Sequence, residues 1–185
     1  MNAADIPKVD PNSARIDGIV ARAARIAVLF RRGPSRQVRL LHWNLATDVI
    51  EGGQWLKARV YARRGDLSPD GRHLCYFAAS WKPPYETWTA ISRPPYFTAL
   101  ALWPKGDAWG GGGLFESRNR LLLNHRFDPY RGKSETELAE GFRLPRSLKV
   151  LPLHDRAGWG EDDPIESMRL HRDGWAWDEV PSTPR

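Results

Sequence analysis

Turn-forming residues interrupt this sequence so often that the folded chain must contain many turns. Its 185 residues include 16 glycines and 15 prolines. Together these two residue types make up a larger share of the chain than the roughly 12% that is average for proteins. The Gly-Pro segment GPSR separates the β-rich segments ARIAVLFRR and QVRLLHWNL, which predicts a β-hairpin. The segment LSPDG supplies proline and glycine in tight-turn order before RHLCYFAASW, and we interpret it as a structural turn. The sequence therefore predicts an all-β, antiparallel fold of short strands.

Two proline pairs and a run of glycines mark further connections. WKPPYETW and SRPPYFTALALW each place two prolines beside a tyrosine, so neither can be a central strand through its prolines. Gly110 to Gly113 form a four-glycine loop that leads to LFESRNRLLLNH, where we predict the start of a third β-unit. The glycine run has no Lys-Ser/Thr ending, so we interpret it as a loop or hinge and not as a phosphate-binding loop.

Three predicted strands recur at a nearly constant spacing. They begin at Arg25, Arg72 and Arg120, which are 47 and 48 residues apart, and each arginine precedes a short apolar run. A period near 45 residues is typical of four-stranded propeller blades. The spacing predicts propeller-like repeats of about 47 residues. Because the length of the chain allows at most four blades, the propeller would be small or incomplete.

The residues around the LSPDG turn carry a family resemblance. Leu67-Ser-Pro-Asp-Gly-Arg72 followed by His-Leu-Cys-Tyr-Phe77 resembles the SPDG turn and innermost strand of blades in TolB-like and WD40-like β-propellers. Trp43-Asn-Leu-Ala-Thr47 is similar to the outer-strand segment that precedes such a turn. The resemblance covers about residues 25–125 and implies propeller blades. The sequence has one SPDG and lacks the Gly-His and Trp-Asp marks of WD40 repeats.

The remaining segments predict one short helix and two flexible ends. Ser134 and Glu137 have capping-box spacing, and Gly141 stops the run, so we predict a helix near 134–141. Asp173-Gly174 predicts a hairpin turn. We expect a disordered arm at 1–13, a single β-rich domain at 14–180 and a frayed tail at 181–185.

Cysteine usage and hydropathy indicate a compartment. Cys75 is the one cysteine, so no internal disulfide can form. The first residues show no secretory signal pattern, and no apolar stretch approaches the ~20 residues of a membrane-spanning helix. The sequence predicts a cytoplasmic protein that does not bind a membrane.

Positive charge is concentrated early in the chain and could serve either an anionic partner or a solvated face. The net charge is +6, made of +10 over residues 1–153 and −4 over residues 154–185. Arg31, Arg32 and Arg36 form a predicted basic binding patch, because arginine side chains hold phosphates or carboxylates through paired N–H donors. The plain alternative is a solvated face.

Nine tryptophans are the most unusual feature of the composition. Many should belong to the core, since aromatic side chains suit half-buried strand surfaces. One stretch, interrupted by prolines and glycines, predicts an exposed aromatic binding surface that consists of Trp81, Tyr85, Trp88, Tyr96, Trp103 and Trp109. Such a surface can bury itself in a partner protein, stack on single-stranded bases or stack on sugar rings.

Catalytic and metal signals are weak. The five histidines show no metal-ligand spacing, and the sequence predicts no metal and no cofactor. His125, Asp128 and Asp66 are the only catalytic candidates, while Cys75 in an apolar strand is more typical of inert core. The favoured hypothesis is a non-enzymatic interaction module that docks within a larger protein assembly. The alternatives are a single-stranded nucleic-acid-binding protein, with Lys82, Arg93 and Lys105 among its aromatics, and an enzyme of unrecognised type.

Overall fold

A computed structural model describes residues 13–33, 37–126, 136–153, 157 and 164–176. These residues contain eleven strands and one helix. The strands are β1 (Arg15–Val20), β2 (Ile26–Arg32), β3 (Val38–Asn44), β4 (Val49–Leu56), β5 (Arg59–Leu67), β6 (Leu74–Ala79), β7 (Thr87–Ser92), β8 (Ala99–Pro104), β9 (Gly113–Ser117), β10 (Arg120–Leu123) and β11 (Lys149–Pro152), and the helix is α1 (Ile165–Arg172). The predicted all-β class is confirmed.

The strands form three sheets in the order of the chain. The first sheet is β1-β2-β3-β4 and the second is β5-β6-β7-β8, and every neighbouring pair in both is antiparallel. In the third sheet β9 and β10 are antiparallel, and β11 pairs parallel to β10. The three aligned segments of the sequence contribute the second strand of each sheet, namely β2, β6 and β10.

The LSPDG segment joins β5 to β6 as a tight turn. Gly71 has a φ of +73°, a conformation that glycine adopts without steric cost. The amide of Arg72 donates to Asp70 Oδ1 at 3.2 Å, and the amide of Gly71 donates to the Ser68 carbonyl at 2.8 Å. The predicted turn is present, and its residues are held by local hydrogen bonds.

The second sheet is covered on both faces. Tyr76 and Phe30 belong to a core cluster between the first and second sheets, whereas Trp103 and Phe115 belong to a cluster between the second and third. Successive side chains of a strand point to opposite faces, so every residue of β6 is buried. This explains the continuous apolar run LCYFAA, which is typical of a strand with two covered faces.

The helix lies elsewhere than the sequence predicts. Residues 136–141 form turns and irregular backbone and contain no helix. The prediction of a helix at 134–141 is therefore wrong for the residues that the structure describes, which do not include Ser134. The segment packs against β8 instead, where Ala139 N donates to the Leu102 carbonyl at 2.9 Å and Trp103 Nε1 donates to the Thr136 carbonyl at 3.2 Å. Tertiary hydrogen bonds thus override the local capping signal. The observed helix, α1, ends at the Asp173-Gly174 segment that predicted a hairpin turn.

The ends of the chain lie largely outside the described residues. The predicted arm is described only at Ser13, and the predicted tail at 181–185 is not described. Within the described part of the chain, no helix is long and apolar enough to span a membrane.

Candidate functional site

The predicted aromatic surface divides into exposed and buried members. Trp81 and Tyr96 are each 56% exposed, and Trp109 is 53% exposed. Tyr85 and Trp88 are half-buried and pack against the core. The fully buried Trp103 cannot contribute to a surface, so its assignment to one is wrong, because its ring fills the space between the second and third sheets.

The exposed aromatic residues also lie at different ends of the second sheet. Trp81 follows β6 and Trp109 follows β8, and both connections leave the same end of these antiparallel strands. Tyr96 lies in the connection from β7 to β8, at the opposite end. The exposed aromatic residues therefore do not form one continuous platform.

A cavity of about 700 Å³ opens between the first and second sheets, at the end where Trp81 lies. We call it the basic cleft. It is lined by the end of β2, the start of β3, the short β4–β5 connection and the β6–β7 connection, through Arg32, Gln37, Val38, Lys57, Ala58, Arg59, Ala79, Ser80, Trp81 and Lys82. Four of these described residues are cationic and none is acidic, so the cleft concentrates positive charge.

A second cavity of about 440 Å³ continues the basic cleft along β1 and β5. It shares Arg32 and Arg59 with the cleft, and its lining adds Arg15, Arg63 and one acidic residue, Asp17. The positive surface thus runs beyond the cleft along the border of the two sheets.

Few carboxylates compensate the cations of the basic cleft. Asp17 lies 3.9 Å from Arg32, and both side chains are substantially exposed, so their interaction is weak in water. The guanidinium of Arg59 lies 4.5 Å from the centre of the Tyr61 ring. Lys57 and Lys82 have no carboxylate within ion-pair distance among the described residues. Within the described part of the chain, Lys57 and Lys82 therefore leave positive charge in the cleft that no carboxylate pairs with.

The backbone of Trp81 adopts an unusual conformation. Its φ is +56°, which is rare for a bulky residue with a side chain. The amides of Ser80 and Trp81 both donate to the Glu86 carbonyl, at 2.9 and 3.0 Å. The Pro83-Pro84 peptide bond of the same connection is cis. The two hydrogen bonds to the Glu86 carbonyl fix the backbone at Trp81, which lines the basic cleft and is 56% exposed.

The predicted basic patch is only partly present in the cleft. Arg32 lines it, whereas Arg31 is half-buried and is not among the lining residues. Arg36 lies outside the described residues. Sequence reasoning did not single out Lys57 and Arg59, although they alternate with the apolar residues Ala58 and Val60, the pattern of a half-exposed strand start.

Two of the three catalytic candidates, His125 and Asp66, are buried and form hydrogen bonds within the fold. His125 is fully buried, and its Nε2 lies 2.8 Å from Thr89 Oγ1. Asp66 is also fully buried, and burial raises the pKa of its carboxyl despite the nearby Arg172. Asp128 lies outside the described residues. Burial likewise raises the pKa of the Cys75 thiol well above its usual range, which makes it a poor nucleophile at neutral pH.

Metal binding receives no support from the described residues, because they contain no group of three or more histidine, cysteine, aspartate or glutamate side chains placed to hold an ion. The basic cleft offers cationic donors and one exposed aromatic residue to a ligand. No protein-family model, curated protein or solved structure matches this chain.

Proposed function

We propose that this protein is a non-enzymatic, β-rich interaction module that docks within a larger assembly by binding an acidic segment of a partner protein in the basic cleft. The observation that carries the proposal is the convergence of four cations and the exposed Trp81 on one cavity whose described lining contains no acidic residue. Tryptophan and arginine are the residues that most often dominate the free energy of protein association. The remaining cations supply complementarity to negative charge and speed association.

We further infer that the sheets are propeller-like blades. Two four-stranded antiparallel sheets follow one another in the chain, and their first strands, β1 and β5, are in contact. The first strand of the third sheet, β9, also contacts β5. Sheets that meet through their first strands are what radial repetition requires, and repeats near 47 residues suit it. The basic cleft would then be the gap between two adjacent blades.

A protein segment suits the cleft better than a single strand of nucleic acid. Proteins that bind single strands stack successive bases on several aromatic side chains along a cationic groove. Here Trp81 is the aromatic residue in the described lining of the basic cleft. Trp109 lies at the same end of the second sheet without lining the cleft, and Tyr96 lies at the opposite end. One anchoring ring surrounded by cations resembles the hot spot of a protein interface.

Two variants that remove a positive charge and one that removes an aromatic ring test the proposal by isothermal titration calorimetry with a glutamate-rich peptide that contains one leucine. We expect Trp81→Ala to weaken binding by about 2 kcal/mol, the size of a typical hot-spot truncation. Lys57→Gln and Lys82→Gln should each weaken it less and reduce its dependence on salt.

Matched controls come from exposed residues elsewhere. Trp109→Ala and Arg118→Gln remove an exposed ring and an exposed cation that do not line the basic cleft. Both should bind the peptide like the parent protein. Equal losses in the control and cleft variants, or no binding by the parent protein, would disprove the proposal.

A further inference from the structure

We propose that the basic cleft recognises a phosphoserine or phosphothreonine within the acidic segment of the partner. This inference rests on the proposed function and specifies its ligand. It follows from the amount of positive charge in the cleft, from the geometry of its arginines and from the position of Trp81.

The positive charge of the cleft exceeds what one carboxylate would neutralise. Arg32, Lys57, Arg59 and Lys82 line one cavity of about 700 Å³, and the described lining of this cavity contains no acidic residue. One described carboxylate, that of Asp17, lines the neighbouring cavity and lies 3.9 Å from Arg32. A phosphate monoester carries about −1.5 to −2 charges and three strong acceptor oxygens. Such a group matches several cations from separate chain segments.

Arg59 is positioned to act as a planar donor. Its guanidinium lies 4.5 Å from the Tyr61 ring centre, a cation–π arrangement that limits its motion. Lys57 and Arg59 are exposed, and they alternate with the buried Ala58 and Val60, which anchor the backbone between them. A guanidinium fork binds two phosphate oxygens at once, whereas lysine contributes a point charge.

The cleft has room for a second residue of the bound peptide, next to the phosphorylated one. A phosphate group alone fills only a fraction of about 700 Å³, a volume in the range of pockets that enclose small organic ligands. The Trp81 ring lines this space and stays 56% exposed. We therefore expect it to pack against an apolar side chain adjacent to the phosphorylated residue.

Fluorescence anisotropy with three labelled peptides tests the inference. The peptides share one sequence with a leucine beside the central position, which is phosphoserine, glutamate or serine. We expect the phosphoserine peptide to bind about tenfold more tightly than the glutamate peptide, because charge and acceptor number both increase. The serine peptide should bind most weakly.

Variants locate the effect in the cleft. Arg59→Gln and Lys82→Gln should remove most of the preference for phosphoserine over glutamate, while Arg118→Gln should keep it. Thermal unfolding of each variant shows whether it folds. Lys82 is exposed and makes no ion pair with a described residue, so Lys82→Gln remains informative if Arg59→Gln does not fold.

Each remaining outcome has a distinct meaning. Equal binding of the phosphoserine and glutamate peptides overturns the phosphate inference but leaves the proposed function in place. Binding of neither phosphoserine nor glutamate peptide, together with no binding of the glutamate-rich peptide, overturns both. Tighter binding of a thymidine oligonucleotide, with the same sensitivity to Lys82→Gln, would replace the partner protein with a nucleic acid.

Discussion

Arg172 donates two N–H groups to the buried carboxylate of Asp66, with Nη1 2.6 Å from Oδ2 and Nη2 3.1 Å from Oδ1. The amide of Phe115 donates to the same carboxylate at 2.7 Å. Because Arg172 belongs to α1, Asp66 to β5 and Phe115 to β9, a single carboxylate joins the helix to the second and third sheets. Arg169 adds a contact from α1 by donating to the Gly65 carbonyl at 2.7 Å.

We expect Arg172→Met to lower the free energy of unfolding by about 3 kcal/mol, because it removes the cation that forms two hydrogen bonds with the buried carboxylate of Asp66. Urea denaturation followed by circular dichroism measures the loss. Arg120→Met is a matched control, since Arg120 pairs with Glu116 at 2.8 Å on the surface and should cost less than about 0.5 kcal/mol.

The double variant Asp66→Asn, Arg172→Met separates the ion pair from simple packing. An asparagine oxygen can still accept from the amide of Phe115, and the buried charge is gone, so the double variant should cost less than the two single variants added together. Additive losses would show that the two residues stabilise the fold independently.

A second prediction concerns the glycine loop between β8 and β9. Gly112 has a φ of +79°, and a Cβ there would overlap the Arg64 carbonyl. We expect Gly112→Ala to lower the free energy of unfolding by about 3 kcal/mol, from backbone strain and from this overlap. Gly106 has a φ of +87° with open space around it, so Gly106→Ala should cost only about 1 kcal/mol. Similar losses in both variants would show that close packing is not the reason for Gly112.

We expect His73 to make the stability of the fold depend on pH. Burial lowers the pKa of His73 below 6.5, the nearby Asp70 opposes the shift, and Arg93 and Arg72 add to it. The unfolded state therefore binds the proton at higher pH than the folded state, and stability falls as pH decreases below about 6.5. His73 Nδ1 is buried without a hydrogen-bond partner among the described residues, which makes its protonation more costly.

Urea unfolding at about pH 7.5 and about pH 5.5 tests this prediction with His73→Gln, which cannot titrate. The parent protein should lose more stability on acidification than the variant does. The same loss in both proteins would assign the pH dependence to other groups.

Local turn chemistry explains the part of the fold that the sequence predicts. Proline, aspartate and glycine in LSPDG specify their own backbone angles, so the turn and the strands on either side follow from neighbouring residues. The sequence also carries local signals for the start and the end of helix α1. Pro164 precedes the helix, and its last turn contains the basic residues Arg169, His171 and Arg172. The Asp173-Gly174 pair favoured a hairpin interpretation instead.

The basic cleft could not be predicted in this way. Arg32, Lys57 and Lys82 are far apart in the sequence and come together only because the first sheet packs on the second. Aromatic composition also could not separate Trp103, which is buried on one face of the second sheet, from the exposed Trp81. Which face of a strand is covered depends on the sheet that packs against it, and this tertiary packing cannot be predicted from the sequence of the strand alone.

The turn between β5 and β6 requires a glycine at position 71. Gly71 has a φ of +73°, and a Cβ there would lie 3.0 Å from the side chain of Ile26. Gly71→Val should therefore lower the free energy of unfolding by about 1–3 kcal/mol through backbone strain and crowding against the first sheet. The turn lies at the opposite end of the strands from the basic cleft, so the variant should bind the glutamate-rich peptide with unchanged affinity once the unfolded fraction is taken into account. If Gly71→Val kept its melting temperature and lost binding, the turn would be a binding surface, and our inference of propeller-like blades would lose its main sequence support.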